Sequence, residues 1–238
     1  MNTATRPAWL TAAQEHYTDT AARELIAAAW ELAARTPTPP DERSQMLLDL
    51  LLDLRGDASL LAAGLLVAPW RKKHLDAEAL AESPCKAVTP LLQALDDLSL
   101  IDHLHEQEQS DLERLRKMLL AMASDMRAVI LKLALQVVLM RHMNQYSAAE
   151  QQRLALQTRD LLAPLANRLG IAQLKWELED RALRTLEPDI YQEISGELEG
   201  KRVDRERYIA RIIDLLRYRL TDAGVTVKRL YGRVKHIN

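Results

Sequence analysis

Apolar residues recur at helical spacing along the first part of the chain. Between residues 19 and 36 they fall at positions 25, 26, 29, 30 and 33, which form one face of a helix. The proline-rich segment 36–40 ends this helix, because proline lacks an amide hydrogen and disfavours helix before it. Asp19 can cap this first helix. Two more apolar stretches follow: 41–54, closed by Gly56, and 58–68, which Asp57 can cap and Pro69 closes. The pattern predicts three consecutive helices.

The middle of the chain carries the strongest helical signals. The stretch 125–143 is apolar nearly all round, which predicts a helix that runs through the core. Ser147 and Glu150 have the spacing of a capping box and predict the start of the next helix. Residues 165–188 continue the helical pattern, with Gly170 as a joint and a proline at the end.

The last fifth of the chain differs in pattern. Residues 189–203 read as a short helix and a turn, after which Asp204 is expected to cap a long basic helix that ends at Gly224. The segment 225–235, VTVKRLYGRVK, is rich in β-branched residues and predicts a strand. The sequence therefore predicts an all-α body followed by a single strand, which would be the first strand of a second fold unit.

Composition agrees with an all-α chain. The 238 residues are 48% hydrophobic and include only 7 glycines and no phenylalanine. No apolar run approaches the roughly 18 residues of a membrane span, and no signal peptide opens the chain, so no membrane partner is expected. Cys85 is the one cysteine, which excludes an internal disulfide and suits a reducing cytoplasm.

Charge is distributed unevenly. Residues 200–238 hold 11 Lys and Arg against 4 Asp and Glu, whereas the whole chain has a net charge of −2. A basic end on an acidic body favours an anionic ligand there, such as nucleotide phosphates or RNA. The alternative is a solvated helix face. Nothing in the sequence indicates a DNA partner.

Candidate catalytic residues are few. His103 and His105 lie beside two acidic residues, but in a polar stretch without apolar walls, so a surface loop is the better interpretation than a metal site. His74 is expected at the surface. In the predicted strand, Arg233 and Lys235 alternate with a valine and project from one side, where a guanidinium could stack on a base or bind phosphates.

Three segments resemble the RelA/SpoT homologues, the (p)ppGpp synthetase/hydrolase family. They are DLLAPLANRLGIAQLKWELEDRALRTLEPDIY (160–191), LEGKRVDRERYI (198–209) and VKRLYGRVKHIN (227–238). The resemblance implies an HD-type helical hydrolase domain over residues 1–195. It also implies the start of an α/β synthetase domain at 196–238, which is expected to be cut off almost as it begins. In the family that domain transfers pyrophosphate from ATP to the 3′ oxygen of GTP or GDP.

The resemblance also permits a check of the hydrolase chemistry. The family's hydrolase holds Mn²⁺ with a His, a His-Asp pair and a later Asp, and a Glu-Asp pair acts in catalysis. Aligned on AAGLL and on Lys132-Leu133-Ala134, the matching positions here are Arg43, Val67, Ala68 and Leu135 for the ligands, and Arg71 and Lys72 for the catalytic pair.

None of these replacements can do the original chemistry. Val67, Ala68 and Leu135 cannot ligate a metal, and Arg71 and Lys72 would repel one. We therefore expect no metal and no hydrolysis, and a regulatory role for the helical domain through its packing against the synthetase domain. We also expect the three aliphatic positions to lie close together and largely dry.

The pattern is similar to the synthetase-only RelA type. By resemblance, Arg233 and Lys235 would contact ATP, with Mg²⁺ needed only by the full-length synthetase and no cofactor in this chain. Partners would be ATP, GTP or GDP, the intramolecular synthetase domain, and the ribosome through regions absent here. Two alternatives remain open at this point: a free-standing helical scaffold module, and an active hydrolase with relocated ligands such as His74, His103 and His105.

Overall fold

The computed structural model describes residues 10–11, 15–98, 125–227, 230 and 232. Within them the regular structure is helical, which confirms the all-α prediction. The α-helices are α1 (Thr20–Ala34), α2 (Glu42–Asp53), α3 (Ala58–Arg71), α4 (Ala77–Ala81), α5 (Thr89–Asp97), α6 (Met126–Arg141), α7 (Ala148–Gln157), α8 (Ala163–Arg168), α9 (Ala172–Leu186) and α10 (Pro188–Asp222). Short 3₁₀-helices cover Lys86–Val88 and Met143–Gln145, and a π-helix covers Thr158–Leu162.

The helices begin at the polar residues that the sequence marks as caps. The side chain of Asp19 accepts a hydrogen bond from the amide of Ala21 at 3.1 Å, and that of Asp57 accepts one from Leu60 at 2.8 Å. Ser147 and Glu150 make both hydrogen bonds of the predicted capping box. These bonds satisfy amide groups that have no partner within the helix, which fixes where each helix starts.

Pro69 does not end α3, contrary to the sequence-based expectation. The helix continues to Arg71. Because Pro69 has no amide hydrogen, the helix lacks the one hydrogen bond that residue 69 would donate to the carbonyl of Leu65. The residues after the proline are held in place by Trp70, which donates from Nε1 to Oδ2 of Asp96 at 2.8 Å. Lys73 then adopts a positive φ of 55° and the helix closes with a bond from His74 to the Pro69 carbonyl. As a result, Arg71 lies on a helix and not in a turn.

Two helices form the centre of the molecule. α3 packs against α1, α2, α5 and α6, and α6 packs in turn against α2, α5 and α9. Ten of the sixteen residues of α6 are buried, as its apolar composition predicts. The core is built almost entirely from leucine, alanine and valine of these helices. The second half of the described chain is assembled on α9, which contacts α6, α7, α8 and α10.

The joint between α7 and α8 is a π-helix that directly precedes Pro164. Pro164 has no amide hydrogen for the carbonyl of Asp160, and its ring needs extra room in the preceding turn. The wider π-helical turn over Thr158–Leu162 provides that room without breaking the helix. Gly170 follows with a φ of +70° and lets the chain turn sharply into α9, as predicted.

An ion-pair cluster joins α6 to α9. The guanidinium of Arg141 donates from Nε and Nη2 to the two carboxylate oxygens of Glu177, at 2.7 and 2.8 Å. Arg181 donates to the same carboxylate at 2.8 Å. Burial raises the pKa of Glu177, but the hydrogen bonds from the two arginines outweigh burial, and the net shift is downward. The carboxylate is therefore ionised and bridges the two helices.

The C-terminal helix differs from the expectation. A turn was expected before Asp204, but α10 runs as one helix of 35 residues from Pro188, which occupies its first turn, to Asp222. Proline is favoured at that position because its missing amide hydrogen costs nothing there. Gly224, with a φ of +72°, ends the helix as predicted.

The predicted domain boundary at 195/196 falls within α10, and its role as a boundary stays a prediction. Of the predicted strand, the described residues 225–227, 230 and 232 are not in strand conformation. Arg233, Lys235 and the rest of that segment lie outside the described residues. No helix in the described part of the chain is long and apolar enough to cross a membrane.

Candidate functional site

The six positions that resemblance equates with the hydrolase site fall on three elements. Arg43 is in the first turn of α2, and its Nη2 donates a hydrogen bond to Oε1 of Gln145, just beyond α6. Val67, Ala68 and Arg71 lie on α3, with Lys72 as its C-terminal cap, and Leu135 is in the middle of α6. Since α3 packs on α6, the fold brings these elements to one side of the core.

Arg71 and Leu135 line the same cavity. It has a volume of about 210 Å³ and opens between the end of α3, one face of α6 and the first turns of α7. The residues that line it are Arg71, Lys132, Leu135, Gln136, Leu139, Tyr146, Glu150, Arg153 and Leu154. Lys72 is exposed and is not among them. The resemblance therefore located two of the lining residues.

The expected dryness of the aliphatic positions is only partly correct. Val67 is 4% exposed and belongs to the core, whereas Ala68 and Leu135 are half-buried. Leu135 remains accessible because it faces the cavity. The position on α6 that the resemblance equates with a metal ligand is thus not closed over by packing, and an open concave surface lies there.

Polar side chains form one wall of this cavity. Gln136 is 4% exposed and donates from Nε2 to the hydroxyl of Thr158 at 2.8 Å. That hydroxyl donates to the carbonyl of Leu154 at 2.7 Å. The chain of hydrogen bonds ties α6 to the start of the π-helix, so the wall is fixed in position rather than free to rearrange.

The charges around the cavity are mainly positive. Arg71, Lys132 and Arg153 are cations, and Glu150 is the acidic residue among the described residues that line the cavity. The hydroxyl of Ser147 donates to the Glu150 carboxylate at 2.6 Å, and this hydrogen bond lowers the pKa of Glu150. Glu150 is therefore ionised at neutral pH and is held at the start of α7 by the capping box.

Sequence reasoning missed most of this cavity. Lys132 was noted only as part of a surviving motif, and Gln136, Tyr146, Glu150 and Arg153 were not connected to the site. One signal was present in the sequence. In the nearly all-apolar run of α6, Lys132 and Gln136 are polar interruptions four residues apart, so they share a face. The contribution of α7 depends on tertiary packing and has no comparable local signal.

The histidines do not form a metal centre in the described part of the chain. His74 is exposed, and its Nδ1 is 2.7 Å from the hydroxyl of Thr38. His142 caps α6 with its Nδ1 2.8 Å from the carbonyl of Val138. His103 and His105 lie outside the described residues. No group of three or more His, Cys, Asp or Glu in a metal-binding arrangement occurs among the residues that the structure describes.

Comparison with known proteins places the chain in a family. A family described as "HD domain" matches residues 21–172, which is more than half of the chain. The helical body and this match together define an HD-domain protein. Within that class, the chain is 39% identical to a curated pyrophosphohydrolase and 34% identical to a curated GTP pyrophosphokinase, and it belongs to the RelA/SpoT family.

Curated relatives agree with this assignment. The chain is 39% identical over 188 residues to a "Probable guanosine-3′,5′-bis(diphosphate) 3′-pyrophosphohydrolase" of Synechocystis, covering 79% of this chain and 25% of the relative. It is 34% identical over 225 residues to a "GTP pyrophosphokinase" of Escherichia coli, covering 90% of this chain and 30% of the relative. A "GTP pyrophosphokinase" of Haemophilus influenzae is 37% identical over 195 residues, covering 80% of this chain and 26% of the relative. The chain thus spans roughly a quarter to a third of the length of these relatives.

Proposed function

We propose that this chain is the N-terminal part of a RelA-type GTP pyrophosphokinase, which makes (p)ppGpp from ATP and GTP or GDP. The HD-type body would be an inactive hydrolase with a regulatory role, and residues 196–238 would begin the synthetase domain. The observation that carries the proposal is the cavity between α3 and α6. At the positions of the family's catalytic and metal-binding residues it presents Arg71 and Leu135.

The residues present do not fit a divalent metal ion. Val67 and Ala68 offer only hydrocarbon, and so does Leu135 on the facing helix. A metal ion needs several oxygen, nitrogen or sulfur ligands from one side of a cavity, and the cation of Arg71 would oppose it electrostatically. We therefore derive no hydrolytic step for this domain.

The purified chain is expected to bind no stoichiometric Mn²⁺ and to release no pyrophosphate from ppGpp, because the ligand positions carry aliphatic side chains. Metal analysis after dialysis and a pyrophosphate-release assay would check this, with the Synechocystis relative assayed in parallel as a positive control. Turnover by the chain, or one tightly held metal per molecule, would instead support a hydrolase with relocated ligands.

Synthesis requires the part of the relatives that lies beyond the matched segment. Phosphoryl-type transfer depends on positioning and on charge stabilisation by metal ions, which Arg233 and Lys235 alone do not supply. We propose that residues 1–238 make no (p)ppGpp from ATP and GTP, and that a longer protein carrying a complete synthetase domain does so with Mg²⁺.

In that longer protein, Arg233→Ala is expected to remove most of the synthesis, because by resemblance the guanidinium stacks on the adenine of ATP. The readout is formation of (p)ppGpp from ATP and GTP, with circular dichroism to verify that the helical fold is retained. Arg217→Ala, on the exposed surface of α10, is the matched control and should retain activity. Full activity of Arg233→Ala would show that ATP binds elsewhere, and synthesis by residues 1–238 would show that no further domain is needed; no synthesis by the longer protein would favour the scaffold alternative.

A further inference from the structure

The second half of α10 has two different apolar faces. On the first face, Ile209, Ile213 and Leu220 are half-buried. The segment after the helix covers part of this face, because a Cβ atom built on Gly232 would lie 2.5 Å from Cγ2 of Ile209 and 3.4 Å from Cδ1 of Ile213. The backbone at Gly232 therefore lies directly against the first face.

The second face is an exposed stripe nearly on the opposite side of the helix, about 160° around the axis from the first. Its members are three or four residues apart, which is the spacing of a coiled-coil seam. All of them are exposed, and the two tyrosines and the leucine are more than half exposed. The stripe consists of Tyr208, Arg211, Leu215, Tyr218, Asp222 and, just beyond the end of the helix, Val225.

The body of the molecule holds α10 at the other end of the helix. α9 packs against α10 near its start, where the hydroxyl of Tyr191 donates to Oδ2 of Asp180 at 3.3 Å. The stripe begins more than four helical turns further along. A regular row of exposed large apolar side chains at such a distance from the core marks an interaction surface.

The two charged members of the stripe indicate what fits this surface. Arg211 and Asp222 are eleven residues apart, so two antiparallel copies of α10 can place each arginine opposite the aspartate of the other copy. The two-fold axis then passes between residues 216 and 217. In a parallel pair, like charges would face each other at both positions, which is unfavourable.

The same antiparallel register also matches the apolar members. Leu215 faces Tyr218 of the second copy, and Tyr208 faces Val225 of the second copy, so each apolar contact occurs twice about the axis. The stripe is therefore complementary to itself in both charge and polarity. We propose that it binds a second copy of this chain and forms an antiparallel, two-fold symmetric dimer.

The size of the stripe limits the strength of this dimer. The helix extends for only about 21 Å between Tyr208 and Asp222. Such a contact lies at the low end of specific interfaces, below about 600 Å² per copy, so we expect a dissociation constant in the micromolar range. The face around Ile209 stays available to the segment that follows the helix, so the dimer does not depend on the proposed synthesis.

Sedimentation equilibrium of the 238-residue chain over a micromolar concentration series tests the proposal, and we expect a reversible monomer–dimer equilibrium. Leu215→Asp should raise the dissociation constant by about tenfold or more, because it buries a carboxylate against Tyr218 of the second copy. Ala210→Asp is the matched control: it adds the same charge at an exposed position on another side of α10 and should change the constant by less than about threefold. Circular dichroism verifies that each variant keeps its helical content.

A charge swap tests the register of the two copies. Arg211→Asp and Asp222→Arg each place like charges opposite each other and should each weaken the dimer by about tenfold or more. The double variant restores an aspartate opposite an arginine, and its dissociation constant should return to within about threefold of the original. Recovery in the double variant is expected only for the antiparallel pairing.

Three results would each overturn the proposal. A chain that stays monomeric over the whole series would leave the stripe to a different protein or to a further domain of a longer chain. Equal association of Leu215→Asp and Ala210→Asp would show that any dimer forms elsewhere on the surface. Failure of the double variant to recover would show that Arg211 and Asp222 do not face each other.

Discussion

Gly64→Leu is expected to lower the free energy of unfolding by about 3 kcal/mol, since it forces four carbon atoms into a packed helix interface. Gly64 is buried on α3 where this helix crosses α2, and a Cβ atom built on it would lie 3.0 Å from Cδ1 of Leu51 and 3.6 Å from Leu47 and Leu48. Denaturant unfolding followed by circular dichroism would measure the change. The glycine is thus required by close packing rather than by backbone conformation.

Gly196→Leu is the control for this variant. Gly196 is also a helical glycine, on α10, and nothing lies within 4 Å of the position of its Cβ. The same substitution there should be neutral or stabilise by about 0.5–1 kcal/mol, because leucine favours helix more than glycine. If both variants lost the same stability, helix propensity and not the α2–α3 contact would be the cause.

Arg141→Ala is expected to lower the free energy of unfolding by about 2 kcal/mol, because it removes two charge-assisted hydrogen bonds to Glu177. The side chain of Glu177 is only 22% exposed. Chemical denaturation at pH 7 measures this. Arg217→Ala is the control, since its ion pair with Asp214 is largely exposed and should contribute less than about 0.5 kcal/mol. A similar loss for both variants would show that the α6–α9 cluster has no special role.

The same cluster predicts a pH dependence. The pKa of Glu177 lies below its ordinary value of 4.5 in the folded chain, because the two arginines outweigh the effect of burial. The stability from this pair is therefore fully present above about pH 4.5 and is lost as the pH falls through the lowered pKa. In Glu177→Gln, this part of the acid sensitivity should disappear, which a comparison of unfolding curves from pH 7 to pH 3 would reveal.

The sequence predicted helix starts correctly where the capping bond joins residues that are close in the chain. Asp19, Asp57 and Ser147 begin helices because their side chains bond to amides two or three residues on, which is readable from sequence. The predictions of a helix end at Pro69 and of a helix start at Asp204 were wrong, because both residues are also compatible with positions inside a helix. A proline near the end of a helix costs one hydrogen bond, which the Trp70–Asp96 contact helps to offset, and an aspartate can lie within a helix as well as before it.

The site was predictable only where a family pattern could be aligned. The resemblance equates Arg71 and Leu135 with hydrolase residues of the family, and both line the cavity. Arg153 and Tyr146 could not be found in this way, because they reach the cavity through the packing of α7 against the rest of the molecule. That packing depends on the π-helix before Pro164, which leaves no periodic trace in the sequence.

The length of α10 has a mechanical consequence. Its 35 residues form a rod of about 52 Å, anchored to α9 near its start and crossing the predicted domain boundary without a hinge loop. Its second half carries exposed Tyr208, Leu215, Leu216 and Tyr218. A tilt of about 5° at the Pro188 end would displace the Asp222 end by roughly 4.5 Å over such a length. A small shift in the packing of α9 against α10 would therefore be enlarged at the far half of the helix, where these four side chains are exposed.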